Sequence, residues 1–483
     1  MENLNLLLKA LCELPDECQY VEFKHNNYEP DMIGRDISAL ANSAALCNKN
    51  TAYMVWGIDD STHKIIGTDY NLQNIKVGGK QELHNWLRSM LSPNADFDYD
   101  TVLFDGKLVG VLSIHAATGQ TVTFKKTDYI RIGSYTKSLR DHPAVRVKLW
   151  DRIRNIHFER RPALRDLTLA DALQKLDYSV YFDLLSIAIP DNSKNIAHYL
   201  IEDGLIEVQD NGLYSITNLG AILFAKDLHK FPRLSRKSVR VVQYSQSNRL
   251  EMLRDETMST GYAVIFEELI RFIEALLPAK EVIEGALRKT IRTYPHLAIR
   301  ESIANALIHQ DFALTGVGPT IELFPNRMEI TNPGAPLIDI RRIIDNPPRS
   351  RNEQLADLMR RMHICEELGS GWDNIVITSE AACLPAPRID VYEDSTRVIL
   401  FAATPFTKLS NEDRLWACYL HACIKQAQHD QLTNKSLRER FGLSDSSSAT
   451  ISRLIKEAMN EKLIKPLDPE TAPRYMSYIP FWA

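Results

Sequence analysis

Between residues 231 and 405 the chain alternates strand-length apolar runs, VRVVQY, PTIELF, RMEIT and TRVILFAA, with two helical runs, YAVIFEELIRFIEALL and HLAIRESIANALIHQ. Strands interrupted by helices must bury the helices on a sheet face, so this stretch predicts an α/β layer. Three other textures surround it. Residues 1–145 mix helix and strand signals. Residues 146–230 are mainly helical and close on EVQDNGLYSIT, where Asp-Asn-Gly marks a hairpin. Residues 406–483 are helical up to a hairpin-like end, RYMSYIPFW. A chain of 483 residues exceeds one core. The expected fold is therefore an α/β (α+β) multidomain chain: 1–145, a winged-helix-like connector at 146–230, the α/β module at 231–405, and a winged helix-turn-helix at 406–483.

Composition narrows the class. No run approaches the roughly 20 apolar residues that span a bilayer, so no membrane partner is expected. The start, MENLNLLLKALCEL, has an early acid and no basic segment, which reads as an amphipathic helix and not a signal peptide. The seven cysteines are scattered and none forms a C-x-x-C pair, which speaks against a disulfide framework or zinc knuckle and for a reducing cytoplasm. A net charge of −5 neither demands nor forbids nucleic acid; a polyanion binder of this balance must localise its basic residues. No G-x-x-x-x-G-K-[ST] phosphate loop occurs, which disfavours a helicase.

The stretch ECQYVEFK (residues 17–24) holds two carboxylates five apart. In extended backbone Tyr20, Glu22 and Lys24 share a face opposite Val21 and Phe23. A carboxylate that holds a divalent metal beside a lysine that steadies developing phosphate charge is what phosphodiester cleavage requires. Glu17 precedes the strand, after Pro15. Further acids, Asp59 and Asp60, follow the apolar run TAYMVWGIDD, and an oxygen-only set suits Mg²⁺ or Mn²⁺. The same residues also read as a solvated strand face and a routine Asp-Asp turn.

YVEFKHN, the helix DISALANSAAL with Ala41-Asn42-Ser43, the strand VWGIDD and the segment YIRIGSYTKSL together resemble the Schlafen AlbA-type domain over about 140 residues. The resemblance implies a nuclease acting on transfer or ribosomal RNA, with a metal triad on Glu17, Glu22 and either Asp59 or Asp60, the spacing favouring Asp60. It departs from the family where ALCNKNTAY replaces a glycine pair before the acidic strand.

In HLAIRESIANALIHQDF, Glu301 and Asn305 lie four apart on one helix face. This resembles the N-box of GHKL-type ATPases, which implies that Asn305 ligates Mg²⁺ on a bound ATP and Glu301 orients water. ITNPGAP, with Asn332 and Gly334, stands where that family has an Asp-x-Gly-x-Gly loop, and asparagine replaces the adenine-reading aspartate. EELGSGWDNI supplies Gly369 and Gly371, where backbone without a Cβ can approach phosphates. A salt-bridged, solvated helix face is the alternative for Glu301 and Asn305. The order of motifs across nearly the whole chain resembles a bacterial family labelled ATP-binding transcriptional regulators or, loosely, RecG-like.

In the last region LTNKSLRERFGL, SDSSS and ATISRLIKEAMNEKLI read as helix, turn, helix, with Thr433 and Ser446 to Ser448 as N-cap candidates. Ile451, Leu454, Ile455 and Met459 form one face of the second helix. Ser452, Arg453 and Lys456 lie off it, where a groove-entering helix presents contacts, and Arg438, Arg440, Lys435 and Lys462 add charge. A dimerisation or docking role fits the same residues. HFERRPALR (157–165) reads as a nucleic-acid contact or an interdomain linker. The preferred expectation is a cytoplasmic metal-dependent ribonuclease acting on transfer RNA or related RNA. Its ATPase-like and winged-helix regions would regulate it, it would form a homo-oligomer, and phage defence is a fitting setting. The rival is a non-enzymatic DNA-binding regulator with nucleotide as ligand.

Overall fold

The computed structural model describes all residues except 1, 14–17, 27–28, 48, 50, 61, 80, 94, 156–157, 210, 285–286, 348, 366–370 and 473–474. The chain is an α+β protein of two compact units, Met1–Leu169 with Ile206–Ser215, and Ala170–Leu205 with Ile216–Ala483.

The first unit starts with helix α1 (Glu2–Cys12), then β1 (Val21–Lys24), α2 (Pro30–Leu46) and β2 (Thr51–Trp56). With β3 (Phe97–Phe104) and β4 (Lys107–His115), these strands form a sheet ordered β1-β2-β4-β3, parallel only between β1 and β2. TAYMVW is apolar throughout because β2 is buried on both faces. Tyr53 and Val55 pack with Val21, Phe23 and the α1 leucines Leu7, Leu8 and Leu11. Met54 and Trp56 pack on the other face with Ile33, Ile37, Leu40 and Ala44 of α2. Pro30 and Asp31 open α2 as a helix start should. Buried residues then run almost unbroken from Ile33 to Ala45, Asp36, Ser38, Asn42 and Ser43 among them. Strands β5 (Thr127–Ile132) and β6 (Tyr135–Ser138) form part of a second four-stranded sheet, and β5 packs against α2.

The HFERRPALR segment is neither a linker nor a loop. Its described part enters β7 (Pro162–Leu167), a member of a three-stranded sheet with β8 (Ile206–Val208) and β9 (Tyr214–Thr217). Those last two strands are the hairpin that Asn-Gly announced. Asp210 lies outside the described residues, and Gly212 takes the positive φ of 75° that the turn needs.

The second unit is built on β10 (Val239–Tyr244), β11 (Met252–Met258), α3 (Tyr262–Leu276), α4 (His296–Ile308), β12 (Thr320–Phe324), β13 (Arg327–Pro333), α5 (Gly371–Ala381), β14 (Arg388–Val391) and β15 (Ser395–Phe401). The six strands are ordered β11-β10-β12-β13-β15-β14, with the β10–β12 pair parallel. The strand period sorts the two faces. Ile321, Leu323, Met328, Ile330, Val398 and Leu400 form the buried apolar side, and α4 packs on β13 and against α5. Glu322, Arg327, Glu329 and Arg397 alternate onto the opposite face.

The chain ends with α6 (Asn411–Ala427), α7 (Asn434–Arg440), α8 (Ser448–Asn460) and the paired strands β16 (Ile464–Pro466) and β17 (Tyr478–Pro480). Thr433 caps α7, its side chain accepting from Ser436 N while Ser436 Oγ accepts from Thr433 N. The serine run is less regular. Ser447 occupies the N-cap of α8 without a side-chain cap, because Asp445–Ser447 form a 3₁₀ turn running straight into the helix. Ile451, Leu454, Ile455 and Ala458 build the core with Leu437 and Cys418. Among the described residues no helix is long and apolar enough to cross a membrane, and all seven cysteines are free.

Candidate functional site

Glu22 and Lys24 do not lie on a solvated strand face. Strand alternation turns both toward α2, where their side chains are 12% and 9% exposed. Lys24 Nζ donates to Glu22 Oε1 at 2.7 Å and pairs with Asp36 Oδ2 at 3.0 Å. Arg131, from β5 and 1% exposed, closes on the other oxygen of Glu22. Thr136 Oγ1 donates to Asp36 Oδ1 at 2.7 Å. Burial pulls the Lys24 ammonium down in pKa, but Asp36 and Glu22 outweigh it, and the group sits above its ordinary value.

The polar residues of α2 pin the neighbouring chain. Asn42 donates to Val122 O and Tyr129 O and accepts from Val122 N, while Ser43 Oγ accepts from Arg131 N. Asp36 and Arg131 were not among the sequence candidates. The signal for Asp36 was its place in a helix rich in alanine and serine, whose residues are almost all buried from Ile33 to Ala45.

The acids after β2 go elsewhere. Asp59 Oδ1 accepts from Thr62 N at 2.8 Å and Thr62 Oγ1 at 2.7 Å, closing a turn. Asp60 is exposed. Glu17 lies outside the described residues. Among the described residues no three His, Cys, Asp or Glu side chains group to hold a metal ion. Glu22 and Asp36 are already matched by Lys24 and Arg131. This described donor set, already paired with cations, does not fit Mg²⁺ or Mn²⁺.

The second constellation sits where α4 meets α5. Glu301 is 3% exposed, so its helix face is an interior one and not the solvated alternative. A Cβ at Gly371 would lie 2.9 Å from Glu301 Oε2 and 3.4 Å from Asn305 Nδ2. Glycine lets the start of α5 come this close to the pair without displacing the Glu301 carboxylate. Gly369 lies outside the described residues. Asn332, buried, occupies the helix-facing side of β13, in register with Ile330, and its Nδ2 donates to Pro333 O. The strand thus runs two residues into the motif read as a loop, and the turn begins at Gly334, whose φ is +103° and whose Cβ would meet Asp311. Lys237, unread in the sequence, is buried beside these residues. Its Nζ donates to Leu314 O at 2.6 Å, and burial lowers its pKa to about 8 against the pull of Asp311.

At the far end of α5, Glu380 holds the C-terminal helices. His421 Nδ1 of α6 lies 2.9 Å from Glu380 Oε2, and its Nε2 lies 3.1 Å from Ser436 Oγ of α7. Arg440 Nε pairs with Glu380 Oε1 at 3.4 Å, and its guanidinium donates to Leu384 O. Arg440 is therefore a buried clamp and not a contact for nucleic acid. Arg438 is engaged by Asn434 and Asp445, whereas Ser452, Arg453 and Lys456 are exposed on α8.

Residues 17–140, which take in the Glu22 cluster, match the family model for Schlafen, AlbA_2. The first unit carries a Schlafen AlbA_2 domain. Beyond this AlbA_2 domain, residues 316–400 match the model described as "Putative ATP-dependent DNA helicase recG C-terminal". That match spans Asn332, Gly334 and Gly371 and stops short of α4. The chain thus joins an AlbA_2 domain to an ATPase-like module. A crystal structure of the DIP2311 protein from Corynebacterium diphtheriae aligns over 99% of this chain and 98% of that one, at 16% identity and a TM-score of 0.43. No curated protein matches the chain.

Proposed function

We propose that this Schlafen-family chain is a nucleotide-responsive DNA-binding regulator. The observation that carries the reading is the course of α5. At its first residue, Gly371, the helix touches Glu301 and Asn305; at Glu380 it holds His421 and Arg440 of the C-terminal helices. Eleven helical residues span about 16 Å, so one rigid element links the two sites. The amide oxygen of Asn305 is a hard donor suited to Mg²⁺ on a triphosphate, so the residue fits ATP with its metal. When bound, the nucleotide supplies charge that favours one position of α5. The chain's own residues do the rest: Glu380 carries that displacement to α6 and α7, and α8 presents Ser452, Arg453 and Lys456 to the duplex.

The experiment is fluorescence anisotropy of labelled DNA with the full chain, with and without ATP and Mg²⁺. The expected result is a nucleotide-dependent change in affinity that Gly371→Val removes while basal DNA binding persists. Arg453→Ala should weaken binding about tenfold at moderate salt. Affinity indifferent to nucleotide and to Arg453→Ala would overturn the reading. Cutting of labelled transfer RNA that needs Mn²⁺ and vanishes in Glu22→Gln would replace it with the ribonuclease reading.

A further inference from the structure

The edge of the six-stranded sheet is built to meet a copy of itself. Strand Met252–Met258 lies at one edge of the sheet, and six of its seven residues are exposed. An edge of this length offers a row of backbone donors and acceptors to another strand. The apolar exposure concentrates here too: Leu250 is 89% exposed, Met252 51% and Leu253 61%.

We infer that two copies of this chain pair antiparallel along Met252–Met258, extending the sheet across a two-fold axis centred on Asp255. The charge order selects the partner and the register. A two-fold axis perpendicular to the sheet keeps facing side chains on one face, so the axis passes through a residue and not between two. Centred on Asp255, it sets Arg254 opposite Glu256 of the second copy, twice over. It also sets Met252 opposite Met258 and Leu253 opposite Thr257. Asp255 faces its own symmetry mate, but each is already neutralised by Arg240, which donates to it through Nε and Nη2 at 2.8 and 2.7 Å. Moving the axis by one residue sets arginine against arginine or glutamate against glutamate, and like charges directly opposite destabilise the pairing. The order Arg-Asp-Glu is self-complementary in this register.

One edge strand buries less than the about 1,000 Å² of a durable interface, so the dimer should be weak, with a Kd of about 1–100 µM. Sedimentation equilibrium of the full chain across that range tests it. Wild type should self-associate. Arg254→Glu alone and Glu256→Arg alone should each dissociate at least about thirtyfold more readily, because both symmetric pairs become repulsive. An equimolar mixture of the two variants should recover association, since every Glu then faces an Arg, and this recovery also shows that both variants fold. A wild type that stays monomeric throughout, singles that associate like wild type, or a mixture that fails to recover would each overturn the inference.

Discussion

Two clusters of carboxylates, one in each unit, are neutralised by arginine and answer to solvent differently. In the AlbA_2 domain Glu22 lies under α2, and its partners Arg131 and Lys24 are as buried as it is. In the second unit Glu322 and Glu329 face each other across β12 and β13, on the sheet side opposite the helices. There Arg249 donates to both acids, Arg327 donates to Glu329 at 2.6 Å and lies 3.9 Å over the Phe324 ring, and Tyr244 stacks on the same ring. The acids are buried, but Arg249 is 47% exposed. Burial of the anion is common to both. What differs is whether the cation could be replaced by water, and that sets the cost of losing it.

The largest effect should come from the sealed cluster. Arg131→Met leaves Glu22 with half its neutralising charge where water cannot enter, and removing one member of a buried pair costs about 3–5 kcal/mol. Urea denaturation of the full chain should show the AlbA_2 transition shifted to lower concentration, with the second unit's transition in place. The replacement of both charges, Glu22→Leu with Arg131→Met, should recover part of the loss, because no buried charge is then left without its partner. Equal destabilisation by Arg131→Met and Arg249→Ala would break the comparison.

The same contrast marks what could be read from the sequence. Four of the six sheet strands and two helices of the second unit were legible because period-two and period-3.6 apolar patterns are local, whereas Met252–Met258 and Arg388–Val391 were not read. VRVVQY became β10 over all of its residues, and HLAIRESIANALI became α4. That Glu301 and Asn305 share one helix face followed from helical spacing. The partners of Glu22 did not follow, since Arg131 arrives from a distant strand and no spacing rule relates the two. Arg440 read as surface charge in RERF, and Lys237 carried no reading at all, yet tertiary contacts bury both. Sequence patterns report which face of an element is apolar; they do not report which polar groups are sealed against one another.

A third carboxylate supplies the intermediate case. Asp373, two residues into α5 from Gly371, is half-buried, and burial alone pushes its pKa from 3.8 to about 6. Its folded value is raised, so its contribution to stability is fully present below about pH 4 and is lost as pH rises through 6. Asp373→Asn has no charge to desolvate. Relative to wild type it should become more stable as pH rises from 4 to 7, by about 1 kcal/mol after allowing for partial solvation. Thermal melts of the two proteins at pH 4, 5.5 and 7 read this directly, and a difference independent of pH would show that Asp373 is solvated in the folded chain.

The smallest effect should come from the open cluster. Burial alone would raise Glu322, but the hydrogen bonds and charge of Arg249 prevail and hold it below its ordinary value of 4.5. Such a group contributes stability above its unfolded pKa and loses that contribution as pH falls through the folded one. Arg249→Ala therefore destabilises the second unit at neutral pH, and the deficit closes as pH falls below the ordinary carboxylate value and through the lowered folded one. Because Arg249 is half-exposed, and Arg327 and Arg397 remain beside Glu329, the deficit at pH 7 should be no more than about 1 kcal/mol. Raising salt to about 1 M should shrink it further, whereas the Arg131→Met deficit, shielded from ions by α2, should hardly change. Salt sensitivity in both, or in neither, would mean that exposure of the cation is not what separates the two clusters.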